Sequence, residues 1–137
     1  MESRKRFERA GLLVPRWHLL ERSESKALGV VIEQMGFPLV IKPTNQGSSI
    51  GVSIATTSTE LHEAIQQAAR YDARILVEEF IPGREVTVGV LGQEALPVIE
   101  IRPSHPFFDY TAKYTPGQTE YIVPALLDEM ASHRIQV

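Results

Sequence analysis

The chain of 137 residues is long enough to bury a core, and we expect residues 1–137 to form a single domain. Its 43% hydrophobic and 23% charged residues are typical of a globular protein, and a net charge of −3 gives no reason to expect nucleic acid or a membrane as a partner. There is no cysteine, signal peptide or bilayer-length apolar run, so we exclude a thiol nucleophile and expect a soluble cytoplasmic protein.

The N-terminal segment is charged over residues 2–10 and predicts a helix that ends at Gly11. Phe7 and Ala10 are expected to face inward, because they are its apolar residues. Residues 14–20 contain a proline and are expected to be extended.

A second helix is predicted by apolar residues spaced at i, i+3, i+4 and i+7. Ser23 or Ser25 can cap it, and Gly36 and Pro38 end it. Its inward positions are Leu28, Val31, Ile32 and Met35.

The centre of the chain predicts an antiparallel hairpin. Short β-rich runs over 39–41 and 52–55 flank a small polar loop at 45–49. Gly47 and Gly51 let this loop adopt backbone angles closed to other residues and bring N–H groups close to a ligand.

The hairpin loop has two interpretations. Ser48 and Ser49 supply hydroxyl donors and Lys42 an ammonium, which together can bind a phosphate chain. The alternative is a flexible hairpin tip with a surface lysine. The residues of the loop alone leave both open.

After the hairpin, Thr57 and Glu60 have capping-box spacing and predict a third helix. Its buried stripe is expected to contain Leu61, Ile65, Ala68 and Ala69. A buried strand follows over 75–77 and continues through 78–81 into a Pro-Gly turn.

The next segments predict further antiparallel strands. Residues 84–91 alternate as one strand, 92–94 form a turn, and 96–101 return antiparallel, with Pro97 suggesting an edge or a bulge. An irregular stretch over 102–123 has the composition of a functional or disordered loop.

The last predicted element is a helix over 126–135 with Asp128 near its start. The predicted fold class is α+β, with an antiparallel sheet covered on one face by helices.

Two stretches can carry chemistry besides the hairpin. Residues 78–81 can pair with a planar heterocycle between apolar walls that include Val40, and Glu85 can accept hydrogen bonds from a ribose. The alternative is that Glu78, Glu79 and Glu85 are solvated strand ends.

In the irregular stretch, Asp109, Lys113 and Tyr114 can form a lid over a substrate, or an ordinary surface loop with one salt bridge. His105 can be a general acid or base, or only a surface residue.

Four motifs in order resemble the ATP-grasp fold, and D-alanine–D-alanine ligases in particular. They lie at 40–43, 47–52, 77–85 and 108–114, with Pro124 and Ala125 after them. The resemblance covers nearly all of 10–127.

The resemblance implies a nucleotide site. Lys42 would contact the phosphates, and Ser48 and Ser49 would lie in the phosphate-covering loop. The adenine site would comprise Glu78, Glu79, Phe80 and Ile81, with Glu85 on the ribose.

The resemblance also implies a catalytic set of Ser48, Lys113 and Tyr114. The lid residues Lys113 and Tyr114 would close over an acyl phosphate, and the tyrosine would bond to Ser48. This tyrosine favours a D-Ala-D-Ala dipeptide over a depsipeptide. Thr111 stands where an acidic residue would be expected.

The reaction implied phosphorylates one D-alanine with ATP, and the amine of a second D-alanine attacks the acyl phosphate, in peptidoglycan precursor synthesis. Magnesium ligands, an N-terminal domain and the family's usual first nucleotide-contacting lysine would lie outside this chain, which contains no predicted metal site. We therefore expect a central nucleotide-binding subdomain that does not ligate alone.

Two rival interpretations remain. One is another ATP-grasp carboxylate–amine ligase, against which Lys113 and Tyr114 argue. The other is a non-catalytic nucleotide-binding or assembly module, in which an uncovered sheet face could drive homo-oligomer formation.

Overall fold

The computed structural model describes residues 2–21, 28–105 and 107–136. The chain divides into two compact units, residues 1–81 and 82–137, and each is described by itself. The single domain over 1–137 stays a prediction. The proposed caps Ser23 and Ser25 lie outside the described residues.

The first unit has three described helices and a four-stranded sheet. In chain order these are α1 (Glu2–Arg9), β1 (Trp17–Glu21), α2 (Leu28–Met35), β2 (Leu39–Pro43), β3 (Ser53–Ala55), α3 (Ser58–Ala68) and β4 (Arg74–Glu79). The sheet has the order β1-β4-β2-β3, and each neighbouring pair is antiparallel. The predicted hairpin is confirmed, with Leu39 opposite Ala55.

The core of the first unit lies between α2, α3 and one face of this sheet. Alternate positions of β2 and β4 point into it, because side chains of a strand alternate between faces. The largest fully buried side chains there are Val31, Leu39, Ile41, Leu61, Ile75 and Val77. The predicted inward positions of α2 and α3 are confirmed as core residues or as residues packed against the core.

The capping box at the start of α3 is also confirmed, in a slightly shifted form. The Thr57 hydroxyl accepts from the Glu60 N–H at 3.2 Å, while Glu60 accepts from the N–H of Thr56 at 2.7 Å. Hydrogen bonds from the N–H and hydroxyl of Thr56 lower the pKa of Glu60.

Helix α1 forms as predicted, but its predicted inward residues are wrong. Phe7 is 47% exposed and Ala10 is exposed. The helix instead contacts the sheet through polar side chains one turn apart: Arg4 pairs with Glu78, and Glu8 accepts from Trp17 Nε1 at 2.9 Å.

The second unit has five strands and two short helices among its described residues. They are β5 (Glu85–Thr87), β6 (Val90–Leu91), β7 (Glu94–Ala95), β8 (Ile99–Pro103), α4 (Tyr110–Tyr114), β9 (Thr119–Ile122) and α5 (Glu129–Gln136). One antiparallel sheet has the order β5-β8-β9, and β6 pairs with β7 in a separate hairpin.

Two predicted strands of this unit form and pair antiparallel, but each is interrupted. The strand predicted over 84–91 is interrupted at 88–89, where the Gly89 carbonyl accepts from the Leu96 N–H at 2.8 Å. The returning strand is interrupted too: Pro97 lies between β7 and β8, and β8 is central in its sheet and not at an edge.

The irregular stretch contains two elements that the sequence pattern did not predict, α4 and β9. Asp109 caps α4 by accepting from the Ala112 N–H at 2.8 Å. The last helix begins at Glu129, later than predicted, because Asp128 is its cap and accepts from the Ala131 N–H at 2.7 Å. The α+β class with antiparallel sheets is confirmed.

Candidate functional site

In the first unit, two predicted site residues meet on the sheet face opposite the core. Val40 lies opposite Glu78 and Lys42 opposite Leu76, so Lys42 and Glu78 are diagonal neighbours on one face. The Lys42 ammonium pairs with Glu78 Oε2. The Glu78 side chain is only 3% exposed, so this carboxylate is a buried charge that needs partners.

A second cation completes this cluster. Arg4 of α1 pairs with the other oxygen of Glu78, Oε1. One buried carboxylate therefore lies between two cations, and the group carries one net positive charge. Sequence reasoning missed Arg4, because no local pattern links a surface helix to a strand so distant in the chain.

Glu79 has a different environment from its neighbour. It accepts from the Arg16 backbone N–H at 2.9 Å and from Arg16 Nε at 2.6 Å. Both hydrogen bonds hold the pKa of Glu79 below its ordinary value, and the one from the Arg16 backbone has the larger effect. Arg16 also donates to the Gln34 carbonyl at 2.9 Å. Through Arg16, the Glu79 side chain therefore connects β4 to the start of β1 and the end of α2.

The chain leaves the sheet directly after Glu79. Phe80 N–H donates to the Pro38 carbonyl at 3.1 Å, which fixes the departure of the chain. Ile81 is 59% exposed and offers an apolar surface. The strand ends at Glu79, two residues earlier than predicted. The predicted apolar residues Phe80 and Ile81 follow it.

The hairpin loop adopts a defined turn. Ser48 and Ser49 both have left-handed backbone angles, with φ of 51° and 60°. The Ile50 N–H donates to the Gly47 carbonyl at 3.0 Å, and the Val52 N–H to the Ser49 carbonyl at 3.2 Å. Successive non-glycine residues in this region are rare, and turns that line up backbone N–H groups make anion-binding concavities.

In the second unit, Glu85 begins β5 opposite Ile101. Desolvation raises the pKa of Glu85, and the positive charge of Lys113 acts in the opposite direction. The structure thus brings the predicted ribose residue and a predicted lid residue within electrostatic range of each other.

The predicted lid residues lie on and next to α4. Lys113 Nζ is 5.1 Å from the ring centre of Phe108, and the Tyr110 and Tyr114 rings are 4.7 Å apart. A cavity of about 290 Å³ has Lys113, Tyr114 and Tyr121 among its lining residues. His105 Nδ1 lies 3.4 Å from the Ser104 hydroxyl and joins none of these contacts among the described residues.

A second buried carboxylate, Glu100 on β8, was not predicted either. Arg84 holds it through Nε at 2.8 Å and Nη2 at 2.5 Å, and Arg102 Nε lies 3.0 Å away. Hydrogen bonds from Arg84 and then Arg102 lower the pKa of Glu100 to about 2. In an alternating strand the apolar neighbours Ile99 and Ile101 would face the core and Glu100 the solvent. The sequence pattern therefore gave no indication that Glu100 is buried.

The described residues contain neither a membrane-spanning helix nor a metal-binding cluster. In 2–21, 28–105 and 107–136, no helix is both long and apolar enough to cross a membrane. Within the same ranges no group of three or more histidines, aspartates or glutamates could hold a metal ion.

Relatives of known structure share this architecture. The VanG D-Ala:D-Ser ligase from Enterococcus faecalis is 39% identical and superposes with a TM-score of 0.82, over 96% of this chain and 40% of that one. A D-alanine–D-alanine ligase from Bacillus anthracis complexed with ATP is 32% identical, with a TM-score of 0.71 over 94% of this chain and 41% of that one. The fold is therefore that of the ATP-grasp proteins.

Sequence comparison gives the family. The family described as D-ala D-ala ligase C-terminus matches residues 7–137, and the chain belongs to this family. D-alanine–D-alanine ligases from Syntrophotalea carbinolica and Geobacter sulfurreducens are 45% and 42% identical over 87% and 94% of this chain. The matched regions are 38% and 40% of those relatives, so the chain spans about two fifths of their length.

Proposed function

We propose that this chain is the ATP-binding part of an ATP-dependent D-alanine–D-alanine ligase, and that it is inactive in ligation by itself. The observation that carries the proposal is the buried Glu78 paired with Lys42 on β2, the strand that precedes the Ser48–Ser49 turn. Family membership and the likeness to a ligase solved with ATP support it.

In this proposal the first unit binds the base and the phosphates. Backbone groups at the end of β4, with Phe80 and Ile81, take the adenine ring next to the buried carboxylate of Glu78. The N–H groups of the Ser48–Ser49 turn and the Lys42 ammonium take the phosphates, since backbone donors and a point charge suit an anionic chain. Glu79 contributes through its backbone, because its side chain is held by Arg16.

The second unit supplies the remaining predicted roles. Glu85 accepts hydrogen bonds from the ribose hydroxyls, and Lys113 and Tyr114 act over the acyl phosphate. Stabilisation of developing charge on phosphoryl oxygens is the main catalytic demand of such a transfer, so fixed donors and cations are the groups required.

Magnesium would neutralise charge on the transferred phosphoryl group in the whole ligase. The described residues of this chain do not form a cluster of acidic or histidine side chains that fits such an ion. We propose that its ligands lie in the rest of the ligase.

The wider setting is also proposed. It comprises D-alanine as substrate, peptidoglycan precursor synthesis with its effect on cell shape, a cytoplasmic location, and a homo-oligomer. The expected uncovered sheet face is not found on β4, because Leu76 and Glu78 are buried on the side opposite the core. The relative described as a D-Ala:D-Ser ligase makes D-serine the rival second substrate. A non-catalytic assembly module and another carboxylate–amine ligase are the rival functions.

The proposal is tested by calorimetric titration of the chain with a non-hydrolysable ATP analogue and magnesium. Binding is expected in the wild type and is expected to be lost in Lys42→Ala. Lys5→Ala removes an exposed lysine of the same unit and should leave binding unchanged. Absence of wild-type binding, or equal loss in both variants, would refute the assigned phosphate contact.

A further inference from the structure

The phosphate loop of the proposed function is held in an uncommon conformation. Ser48 and Ser49 occupy left-handed angles in succession, and Gly51 follows with φ of 72°. Side-chain-bearing residues remain in such sparsely populated conformations only where the surrounding structure holds them. The residues that hold this loop are found at the corner between α3 and β4.

The exit of the loop is held by Tyr71. A Cβ atom added at Gly51 would lie 2.7 Å from Cδ2 of the Tyr71 ring, closer than real Cβ contacts allow. The ring therefore lies directly against the Gly51 backbone. Tyr71 is 47% exposed, so core packing alone does not explain its place.

The entry of the loop is held by Asp72. The Thr44 hydroxyl donates to Asp72 Oδ2 at 2.5 Å, and the Thr44 N–H donates to the Arg74 carbonyl at 3.3 Å. The other carboxylate oxygen of Asp72 accepts from the Arg74 N–H at 3.1 Å. The hydrogen bond from the Thr44 hydroxyl is the main cause that lowers the pKa of Asp72.

Two consecutive residues thus hold both ends of one loop. We propose that Tyr71 and Asp72 are positioning residues that hold residues 44–51 in the shape that binds the phosphates of the nucleotide. This inference rests on the proposed function. Neither residue contacts the nucleotide in this scheme, so each acts only through the loop.

The scheme predicts a selective effect on ligands. A loop released from its corner presents its N–H groups to the phosphates less well, whereas the adenine contacts at the end of β4 do not depend on it. Substitution at the corner should therefore weaken an ATP analogue and spare adenosine. General loss of structure would weaken both ligands together.

The experiment compares two hydroxyl–carboxylate pairs in the same unit. Thr44→Val and Asp72→Ala break the pair at the loop, and Thr56→Val and Glu60→Ala break the matched pair at the start of α3, which is 2.7 Å long. By calorimetry, the loop variants should bind the ATP analogue about tenfold more weakly than the wild type, which is the scale of one hydrogen bond to a charged group. Their binding of adenosine, and the binding of both ligands by the matched variants, should not change. Tyr71→Leu should give the same split.

A second measurement follows the loop itself. Amide exchange at Ile50 and Val52, whose N–H groups close the turn, should accelerate in the loop variants and stay unchanged in the matched variants. Unchanged exchange in the loop variants, or equal weakening of both ligands, overturns the inference. If the wild type fails to bind the analogue, the proposed function falls, and the exchange data alone decide whether the corner positions the loop.

Discussion

The stability of the fold is expected to depend on the two cations that pair with the buried carboxylate of Glu78. Arg4 and Lys42 are 18% and 30% exposed at their side chains, so their pairing with this nearly inaccessible group is only partly screened by water. The test uses Arg4→Ala and Lys42→Ala singly, then both together, and finally both combined with Glu78→Gln.

The magnitudes follow from what remains around the carboxylate. Each single substitution leaves one cation and should lower the free energy of unfolding by about 1.5–3 kcal/mol, the worth of a charged hydrogen bond. The double substitution leaves a buried charge without either cation, a change that typically costs about 3–5 kcal/mol. Adding Glu78→Gln removes that charge, so we expect it to recover most of the loss.

The assay is urea unfolding followed by circular dichroism, with the midpoint compared at constant slope. Arg6→Ala is the matched control, because Arg6 pairs with Glu2 at 3.6 Å and both side chains are well exposed, at 74% and 68%. It should cost less than about 0.5 kcal/mol. A double variant as stable as the wild type, or a deeper loss of stability on adding Glu78→Gln, would refute the pairing of the two cations with Glu78.

Two further predictions concern pH and backbone strain. The pKa of Glu100 falls from 4.5 to about 2, so its contribution to stability is present above pH 4.5 and lost as pH falls toward 2; amide exchange of the second unit should show this acid loss in the wild type and not in Glu100→Gln. Gly51→Ala combines a left-handed φ of 72° with contact against Tyr71 and should destabilise by about 1–3 kcal/mol in urea unfolding. Gly47→Ala, which has open space around the added Cβ, should change the midpoint little, and equal effects would contradict the strain argument.

Local periodicity explains what could be predicted from the sequence. The helix over Leu28–Met35, the hairpin and the cap at Thr57 all depend on residues within a few positions of each other. Spacing and capping chemistry indicate such elements from the sequence without knowledge of any tertiary contact.

Predictions that depended on distant partners were wrong or missing. The orientation of α1 is set by Arg4 and its partner on β4, so the apolar Phe7 was a poor guide. Strand β9 did have a local signal, because the turn residue Gly117 is soon followed by the β-prone residues Thr119, Tyr121 and Ile122.

The candidate site was predictable only in part for the same reason. The resemblance named Lys42 and Glu78, and the structure joins them directly. It did not name the corner residues Tyr71 and Asp72, whose relation to the loop arises from folding α3 back onto the hairpin.

The central strand β4 has a consequence for how the chain can change over time. Ile75 and Val77 face the core while Leu76 and Glu78 face the opposite side, and all four are buried. Random substitution in this strand thus meets a packing demand at Ile75, Leu76 and Val77 and a charge-pairing demand at Glu78. A library of single variants should accept almost nothing here, whereas the exposed hairpin at Val90 and Leu91 should tolerate wide diversity.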